Sequence, residues 1–191
     1  MIEIKNICKS YGSKQVLDNV NLTVAPGEMT CIMGASGIGK TTLVNIVAGI
    51  VVPDSGIVLG MDNAKVATVF QEDRLLEWET ALSNVLFVTS PARQHVSTAK
   101  SLLTRAGLAD SINKKAAKLS GGMKRRVCIC RALIADYDML ILDEPFKGLD
   151  GDTKLVMMQL VKDNLRKGAS ALCVTHDVSE VEFMGGKLVG L

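Results

Sequence analysis

The sequence of 191 residues has few aromatic side chains, almost no net charge and no long apolar run. One Trp, two Tyr and four Phe are too few for a surface that stacks single-stranded bases. The net charge is +2, so a protein held mainly by nucleic-acid phosphates is not expected. No run reaches the roughly 18 apolar residues that a membrane helix needs. The segment Met1–Lys5 also lacks the apolar core of a signal peptide.

Cysteine is present in an odd number and at scattered positions. The five residues are Cys8, Cys31, Cys128, Cys130 and Cys173. This distribution favours reduced, buried thiols in a cytoplasmic protein over a disulfide framework. A metal site at Cys128 and Cys130 is disfavoured because no neighbouring His or Cys completes a tetrahedral set.

Short β-like runs alternate with helical stretches, which predicts an α/β fold with a largely parallel sheet. The opening segments Ile2–Ile7 and Val16–Val24 are β-like. Most of the sequence from Glu72 to Ala135 is typical of helices, and we expect a helical lobe there. A further helix is predicted from Asp152 to Lys167, capped by Gly168.

Four apolar runs each end in residues suited to chemistry. The runs and their endings are Met29–Met33 with a Gly-rich loop, Lys65–Phe70 with Gln71, Met139–Leu142 with Asp143 and Glu144, and Ala171–Thr175 with His176. In open parallel sheets, ligands bind beyond the carboxyl ends of the strands. If the four runs are neighbouring strands, their polar endings converge on one site.

The Gly-rich loop, Gly34–Thr41, matches the phosphate-binding P-loop pattern and lies between a strand-like run and a helical one. Glycines allow the backbone N–H groups to turn towards phosphate oxygens, and a helix N-terminus adds a favourable field. We expect Lys40 to reach the β- and γ-phosphates and the Thr41 hydroxyl to ligate Mg²⁺.

Two further elements lie at matching positions. Asp143 and Glu144 follow four apolar residues, and adjacent strand residues point to opposite sides. Asp143 can therefore hold Mg²⁺ while Glu144 acts as general base on a water. An acidic pair at a strand end is more often a solvated turn, and Ser120-Gly121-Gly122 before a helix is by itself usually a cap. The position of this triplet between Lys40 and Asp143 argues for an anion-binding role.

With these elements in order, the chain resembles the ATP-binding cassette (ABC) ATPases, specifically the nucleotide-binding subunits of ABC transporters. Seven matches carry the resemblance over almost the whole chain: Tyr11 (the aromatic that stacks on adenine), Gly34–Thr41 (Walker A), Gln71 (Q-loop), Leu119–Met123 (signature), Leu140–Glu144 (Walker B), Gly148–Asp150 (D-loop) and His176 (switch histidine).

The resemblance implies one P-loop domain of the ABC type over residues 1–191. It would have a mostly parallel core sheet, an N-terminal antiparallel β part and a helical lobe at about residues 72–135. The implied catalytic residues are Glu144, His176, Gln71 and Lys40. The residues implied to contact ATP are Tyr11, Gly34, Ala35, Ser36, Gly37, Ile38, Gly39, Lys40, Thr41, Thr42, Ser120, Gly121, Gly122 and Asp150. The implied Mg²⁺ ligands are Thr41, Gln71 and Asp143.

The resemblance also implies partners. ATP on one subunit would be capped by Ser120 and Gly122 of another in a head-to-tail homodimer or pseudo-dimer. A separate integral membrane permease, and in importers a substrate-binding protein, would complete an assembly on the cytoplasmic face of the membrane. Leu75, Leu76 and Trp78 are either anchors for the permease or ordinary core of the helical lobe. No nucleic acid is expected as a partner.

The residues at 69–78 and 143–146 look most like importers of the nitrate, sulfonate and taurine group. Arg125 stands where Gln is usual and Lys147 where Gly is common. A run of basic residues is expected on a solvated helix face: Lys114, Lys115, Lys118, Lys124, Arg125 and Arg126. The chain stops 15 residues after His176, which predicts an active subunit without C-terminal regulation.

Two alternative functions remain open. One is a soluble ABC ATPase acting on nucleic acid or the ribosome, and the other is a nucleotide-dependent module that does not hydrolyse ATP.

Overall fold

A computed structural model describes all residues from 1 to 191. The strands are β1 (Ile2–Tyr11), β2 (Lys14–Val24), β3 (Met29–Met33), β4 (Ser55–Leu59), β5 (Val66–Val69), β6 (Met139–Asp143), β7 (Ser170–Val174) and β8 (Lys187–Gly190). The helices are α1 (Lys40–Val47), α2 (Ala81–Leu86), α3 (Ala92–Arg105), α4 (Gly121–Ile134), α5 (Gly151–Asn164) and α6 (Val178–Met184), with short 3₁₀ turns at Ala109–Ser111 and Ala116–Lys118. None of the helices is both long and apolar enough to cross a bilayer.

The chain divides into two units. The first comprises residues 1–68, 137–144 and 166–191, and the second comprises residues 69–136 and 145–165. The first unit holds an antiparallel sheet with strand order β2-β1-β4 and most of a five-stranded sheet with order β5-β6-β7-β3-β8. The second unit holds helices α2 to α5.

The five-stranded sheet brings together the four apolar runs seen in the sequence. β6 pairs with β7, and β7 with β3, in parallel register, and β5 lies next to β6. All residues of β6 and β7 are buried, as expected for strands covered on both faces. Because β3, β6 and β7 are parallel, their carboxyl ends meet at one edge of the sheet.

One apolar core stabilises the first unit. Ile4 and Ile7 of β1, Leu43 of α1, and Ile141 and Leu172 of the parallel sheet are almost fully buried in the same cluster. Burying each such side chain contributes roughly 1.5 to 3 kcal/mol relative to leaving it exposed. This packing holds β3 and α1, and therefore the loop between them, on the sheet.

A buried amide organises the second unit. The side chain of Asn84 in α2 is fully buried, and its Oδ1 accepts a hydrogen bond from the backbone N–H of Leu76 at 2.8 Å. Its Nδ2 donates to the carbonyl groups of Leu76 and Thr80, both at 3.0 Å. The segment before α2 is therefore fixed although it forms neither helix nor strand.

The first two strands are longer than predicted, since β1 continues beyond Ile7 to Tyr11 and β2 begins at Lys14, and one helix is shorter than predicted. Helix α5 ends at Asn164 rather than continuing to Lys167, so the predicted cap at Gly168 is wrong. Asn164 Nδ2 donates to the Leu160 carbonyl at 2.7 Å, and Leu165 takes an extended conformation. Gly168, at φ +86°, forms a separate turn before β7.

Candidate active site

The loop between β3 and α1 reverses direction at two glycines. Gly37 and Gly39 have φ angles of 78° and 108°, which side-chain-bearing residues rarely adopt. A Cβ atom added to Gly39 would lie 2.6 Å from the Val16 carbonyl oxygen. The pattern of glycines is therefore required by the backbone path, and the loop leads straight into the N-terminus of α1.

Lys40, the first residue of α1, is 6% exposed and folds back over this loop. Its Nζ donates hydrogen bonds to the carbonyl oxygens of Gly34 and Ala35, both at 2.8 Å. An ammonium group has three N–H donors, so one remains for an anion in the loop. The helix N-terminus adds a field of the same sign.

Glu144 and His176 meet beyond the adjacent strands β6 and β7. Glu144 Oε1 lies 2.9 Å from His176 Nε2, with the Glu side chain 13% exposed and the His side chain 45% exposed. Glu144 has a φ of 47°, a left-handed conformation that is costly for a non-glycine residue, and its N–H donates to the Val174 carbonyl at 2.9 Å. The carboxylate is thus held against the histidine at the sheet edge where ligands bind in this type of fold.

Thr175 and Glu180 fix the segment that carries His176. The Thr175 hydroxyl donates to the buried Glu180 carboxylate at 2.5 Å and accepts a hydrogen bond from the Asp177 N–H at 3.1 Å. No local pattern predicts this role, because in the sequence Thr175 is only the last residue of an apolar run and Glu180 belongs to no predicted element.

The donor set at this edge suits Mg²⁺. Asp143, the last residue of β6, is 3% exposed, and Thr41 lies in the first turn of α1. A carboxylate and a hydroxyl are hard oxygen ligands, which Mg²⁺ prefers.

Tyr11 ends β1 and is 52% exposed, with the Lys9 ammonium 5.7 Å from its ring centroid. An exposed ring with a cation nearby offers a surface for stacking a flat, apolar group.

Thr42 follows Thr41 in α1, and the other predicted site residues belong to the second unit. Gln71 is exposed just after β5, and Ser120 is the N-cap of α4, where its side chain accepts from the Met123 N–H at 3.3 Å. Gly121 and Gly122 form the first turn of α4. Asp150 is the N-cap of α5 and accepts from the Thr153 N–H at 2.9 Å. Four of these five residues lie at helix N-termini, and Gln71 lies in a loop.

A family comparison matches residues 17–147 to the model described as "ABC transporter". This range contains the Gly-rich loop, Gln71, the Ser120 triplet and the Asp143-Glu144 pair. The chain belongs to the ABC transporter family. The family predicted from the sequence motifs is therefore confirmed.

Two similar relatives are named as import proteins. The aliphatic sulfonates import ATP-binding protein SsuB 2 of Pseudomonas syringae pv. syringae (strain B728a) is 40% identical over 191 residues, which cover 100% of this chain and 69% of that protein. The taurine import ATP-binding protein TauB of Yersinia pestis bv. Antiqua (strain Antiqua) is 37% identical over 201 residues, which cover 99% of this chain and 78% of that protein. The predicted resemblance to the nitrate, sulfonate and taurine importer group is confirmed.

A similar solved structure is the dimeric, post-hydrolysis state of the ATP-binding cassette MJ0796 bound to ADP and Pi. Its TM-score is 0.86 at 33% sequence identity, and the match covers 100% of this chain and 94% of that one. The predicted ABC-type α/β fold, with a parallel core sheet, an N-terminal antiparallel part and helices, is confirmed.

Two sequence interpretations in the helical region change. Arg125 does not lie on a solvated helix face, because the residue as a whole is 5% exposed and its side chain binds backbone carbonyl groups. Trp78 is not lobe core, because it is 68% exposed. Leu75 and Leu76 are half-buried.

The prediction of buried thiols is confirmed for four of the five cysteines, Cys31, Cys128, Cys130 and Cys173, whereas Cys8 is half-buried.

A cavity of about 370 Å³ in the first unit lies beside the Gly-rich loop but touches it only through Ile38. Its other lining residues come from β2, Ile32 and the segment from Val189 to Leu191. Because neither Lys40 nor Glu144 lines it, we do not assign it to the chemistry of the site.

Proposed function

We propose that this chain is the ATP-binding and ATP-hydrolysing subunit of an ABC importer and drives a separate membrane permease. The carrying observation is the contact between Glu144 and His176 at the sheet edge shared with the Gly34–Thr41 loop. The names of the similar relatives support import, with a sulfonate-type solute as the proposed cargo class.

ATP would bind through its phosphates and its base. The N–H groups of Gly34 to Thr41 surround the phosphates, with Thr42 next to them, and the Lys40 ammonium neutralises part of their charge. Adenine stacks on the exposed ring of Tyr11.

Glu144 is the proposed general base. Its carboxylate takes a proton from the water that attacks the terminal phosphate, and the His176 imidazole, which lies against this carboxylate, contacts the same phosphate. The left-handed backbone at Glu144 and the Thr175–Glu180 contact keep both groups in position before substrate arrives.

Thr41 and Asp143 would hold Mg²⁺, with Gln71 as a third ligand that also contacts the attacking water. The ion would neutralise charge on the phosphates of ATP.

Two copies of the chain would sandwich ATP head to tail. Ser120, Gly121 and Gly122 at the N-terminus of α4 would cap the nucleotide bound to the other copy, and Asp150 would link the two sites. The solved relative bound to ADP and Pi is described as dimeric, which supports this arrangement.

The permease would contact the second unit. Trp78 is strongly exposed beside the half-buried Leu75 and Leu76, and an exposed Trp is a common anchor in interfaces. The subunit would then lie on the inner face of the membrane, with a substrate-binding protein delivering the solute to the permease on the other side.

One experiment tests hydrolysis and transport together. The chain is co-purified with its membrane partner, and ATP turnover is measured as organosulfonates and control solutes are added. We expect one sulfonate to accelerate turnover. Glu144→Gln should lower turnover at least about a hundredfold, since the general base is lost, while ATP binding is retained.

Glu182→Gln is the matched control, because Glu182 is an exposed carboxylate of α6 in the same unit. Its turnover should equal that of the unchanged chain. Undiminished turnover in Glu144→Gln would reject the assigned base. Failure to recover an integral membrane protein would favour a soluble ABC ATPase.

A further inference from the structure

A row of side chains on helix α4 donates hydrogen bonds to the backbone of the segment around Gln71. We name residues 70–74 the Gln71 segment. Arg125 Nη1 donates to the Phe70 carbonyl at 2.5 Å, and Nη2 donates to the Gln71 carbonyl at 2.7 Å. One guanidinium group therefore holds two successive carbonyl groups on either side of the Gln71 Cα atom.

Two more side chains of α4 continue the row. Cys128 Sγ donates to the Asp73 carbonyl at 2.7 Å, and Arg131 Nη1 donates to the Arg74 carbonyl at 2.8 Å. Residues three apart lie close together on a helix surface, so positions 125, 128 and 131 form one continuous line. The Gln71 segment has no secondary structure of its own, and these contacts define its backbone path.

Arg125 is the member of this row that lies nearest to Gln71. Its side chain is 6% exposed, and the Asp73 carboxylate lies 3.6 Å from Nη1, which partly balances the buried charge. A planar guanidinium presents two N–H groups in a fixed fork, whereas Lys offers a single point charge and Met offers no donor. The loss of Arg125 would leave the carbonyl groups of Phe70 and Gln71, which make part-buried hydrogen bonds, without this donor.

We propose that Arg125 is a positioning residue for ATP hydrolysis, which acts by fixing the backbone that carries Gln71. The inference rests on the proposed function, in which Gln71 contacts Mg²⁺ and the attacking water. It also gives α4 a second role, since the helix that begins at Ser120 and Gly121 holds the Gln71 segment with its middle turns.

The test is a double-mutant cycle on the full chain. Arg125→Met should lower kcat on the order of tenfold to a hundredfold, as expected for a misplaced catalytic group, and should leave KM for ATP within about twofold. Arg125→Lys should recover part of kcat because it restores a donor. In the Gln71→Ala background, Arg125→Met should cause no further loss of kcat.

Arg105→Met is the matched control, because Arg105 makes an ion pair with Asp163 in the same unit and does not contact the Gln71 segment. This variant should keep the kcat of the unchanged chain. An unchanged kcat in Arg125→Met would overturn the proposal. Losses that multiply in the double variant would also overturn it, because they would show an effect independent of Gln71.

Amide hydrogen exchange separates this inference from the proposed function. Arg125→Met should accelerate exchange in peptides that cover the Gln71 segment, and Arg105→Met should not. Absence of turnover in the unchanged chain would reject the proposed function. Unchanged exchange in the Gln71 segment of Arg125→Met would reject the positioning role whether or not the chain hydrolyses ATP.

Discussion

Glu144 shows how one residue can be prepared for chemistry by its surroundings. A left-handed non-glycine residue costs about 1 to 3 kcal/mol and persists only where neighbouring contacts impose it. Here the N–H of Glu144 is held by the Val174 carbonyl and its carboxylate lies against His176. Glu144 directly follows β6, in which every residue is buried, and the packing of this strand stabilises the unfavourable backbone conformation of Glu144.

The cysteines behave as packing residues. Burial raises the pKa of the Cys128 thiol to about 12 and that of the Cys130 thiol to about 12. Both therefore remain protonated at pH 8, and thiols react with alkylating agents only as thiolates. Cys31 and Cys173 are about 1% exposed on neighbouring strands, which leaves Cys8 as the accessible thiol.

We therefore predict that iodoacetamide at pH 8 labels Cys8 alone in the folded chain. Peptide mass spectrometry reads the result, and all five cysteines should react in guanidinium chloride. Native-state labelling of Cys128 at a rate comparable with Cys8 would contradict the prediction.

Helix caps connect the elements with the site. Ser120 and Asp150, two residues of the sequence motifs, cap α4 and α5 through their side chains. Asp177, next to His176, caps α6 by accepting from the Ser179 N–H at 2.9 Å. Each of these side chains marks the start of a helix, where the N–H groups of the first turn can bind an anion.

The stability that the Asp150 cap gives to α5 depends on pH. The hydrogen bonds from Thr153 lower the pKa of the Asp150 carboxyl in the folded chain. A lowered folded-state pKa means that the stabilisation is present above the ordinary pKa of Asp and is lost as pH falls through the lowered value.

Asp150→Ala should therefore reduce stability at pH 7, and the difference from the unchanged chain should shrink as pH falls below 4. Urea denaturation without nucleotide measures it. Asp150→Asn should keep most of the cap at both pH values, because Asn also accepts the Thr153 hydrogen bond. Asp152→Ala, in the same turn, is the control. An Asp150→Ala deficit that stays constant with pH would contradict the prediction.

The sequence predicted the elements with a strong local pattern. β3, β6 and β7 are continuous apolar runs, and the predicted strands lie within one residue of those in the structure. β4, α6 and β8 have seven residues or fewer and many exposed positions, so no periodic pattern marks them. The end of α5 depends on a side-chain contact of Asn164, which propensity does not reveal.

The same distinction applies to the site. The Gly34–Thr41 loop is local, and its glycines and lysine identify it directly from sequence. Arg125 contacts carbonyl groups 54 and 55 residues away, and no local pattern distinguishes such an arginine from one on a solvated face. Pairing across long sequence separations is the part that only the fold reveals.

On the scale of the whole molecule, the proposed chemistry is distributed over two units. The first carries the phosphate loop, Glu144 and His176, whereas the second carries Gln71, the Ser120-Gly121-Gly122 turn and Asp150. The proposed dimer gives a purpose to the exposed N-terminus of α4, because its N–H groups would serve the nucleotide on the other copy.

Gly121 allows a direct test of this dimer. Apart from its chain neighbours and the backbone of its own helix, no atom lies within 4 Å of a Cβ placed on Gly121, so the folded chain has room for a side chain there. An acidic residue in the first turn is favourable for the helix itself. It would, however, face the triphosphate of the other copy, where like charges repel.

In the Glu144→Gln background, which should trap bound ATP, we expect Mg²⁺-ATP to convert the 20.4 kDa chain into a species of twice that mass in sedimentation velocity. Adding Gly121→Glu should abolish the dimer, while Gly121→Ala should preserve it. Both variants should melt close to the Glu144→Gln chain without nucleotide, because the position is open. Dimer formation by the Gly121→Glu variant at unchanged ATP concentration would show that α4 does not face the bound nucleotide of a second copy.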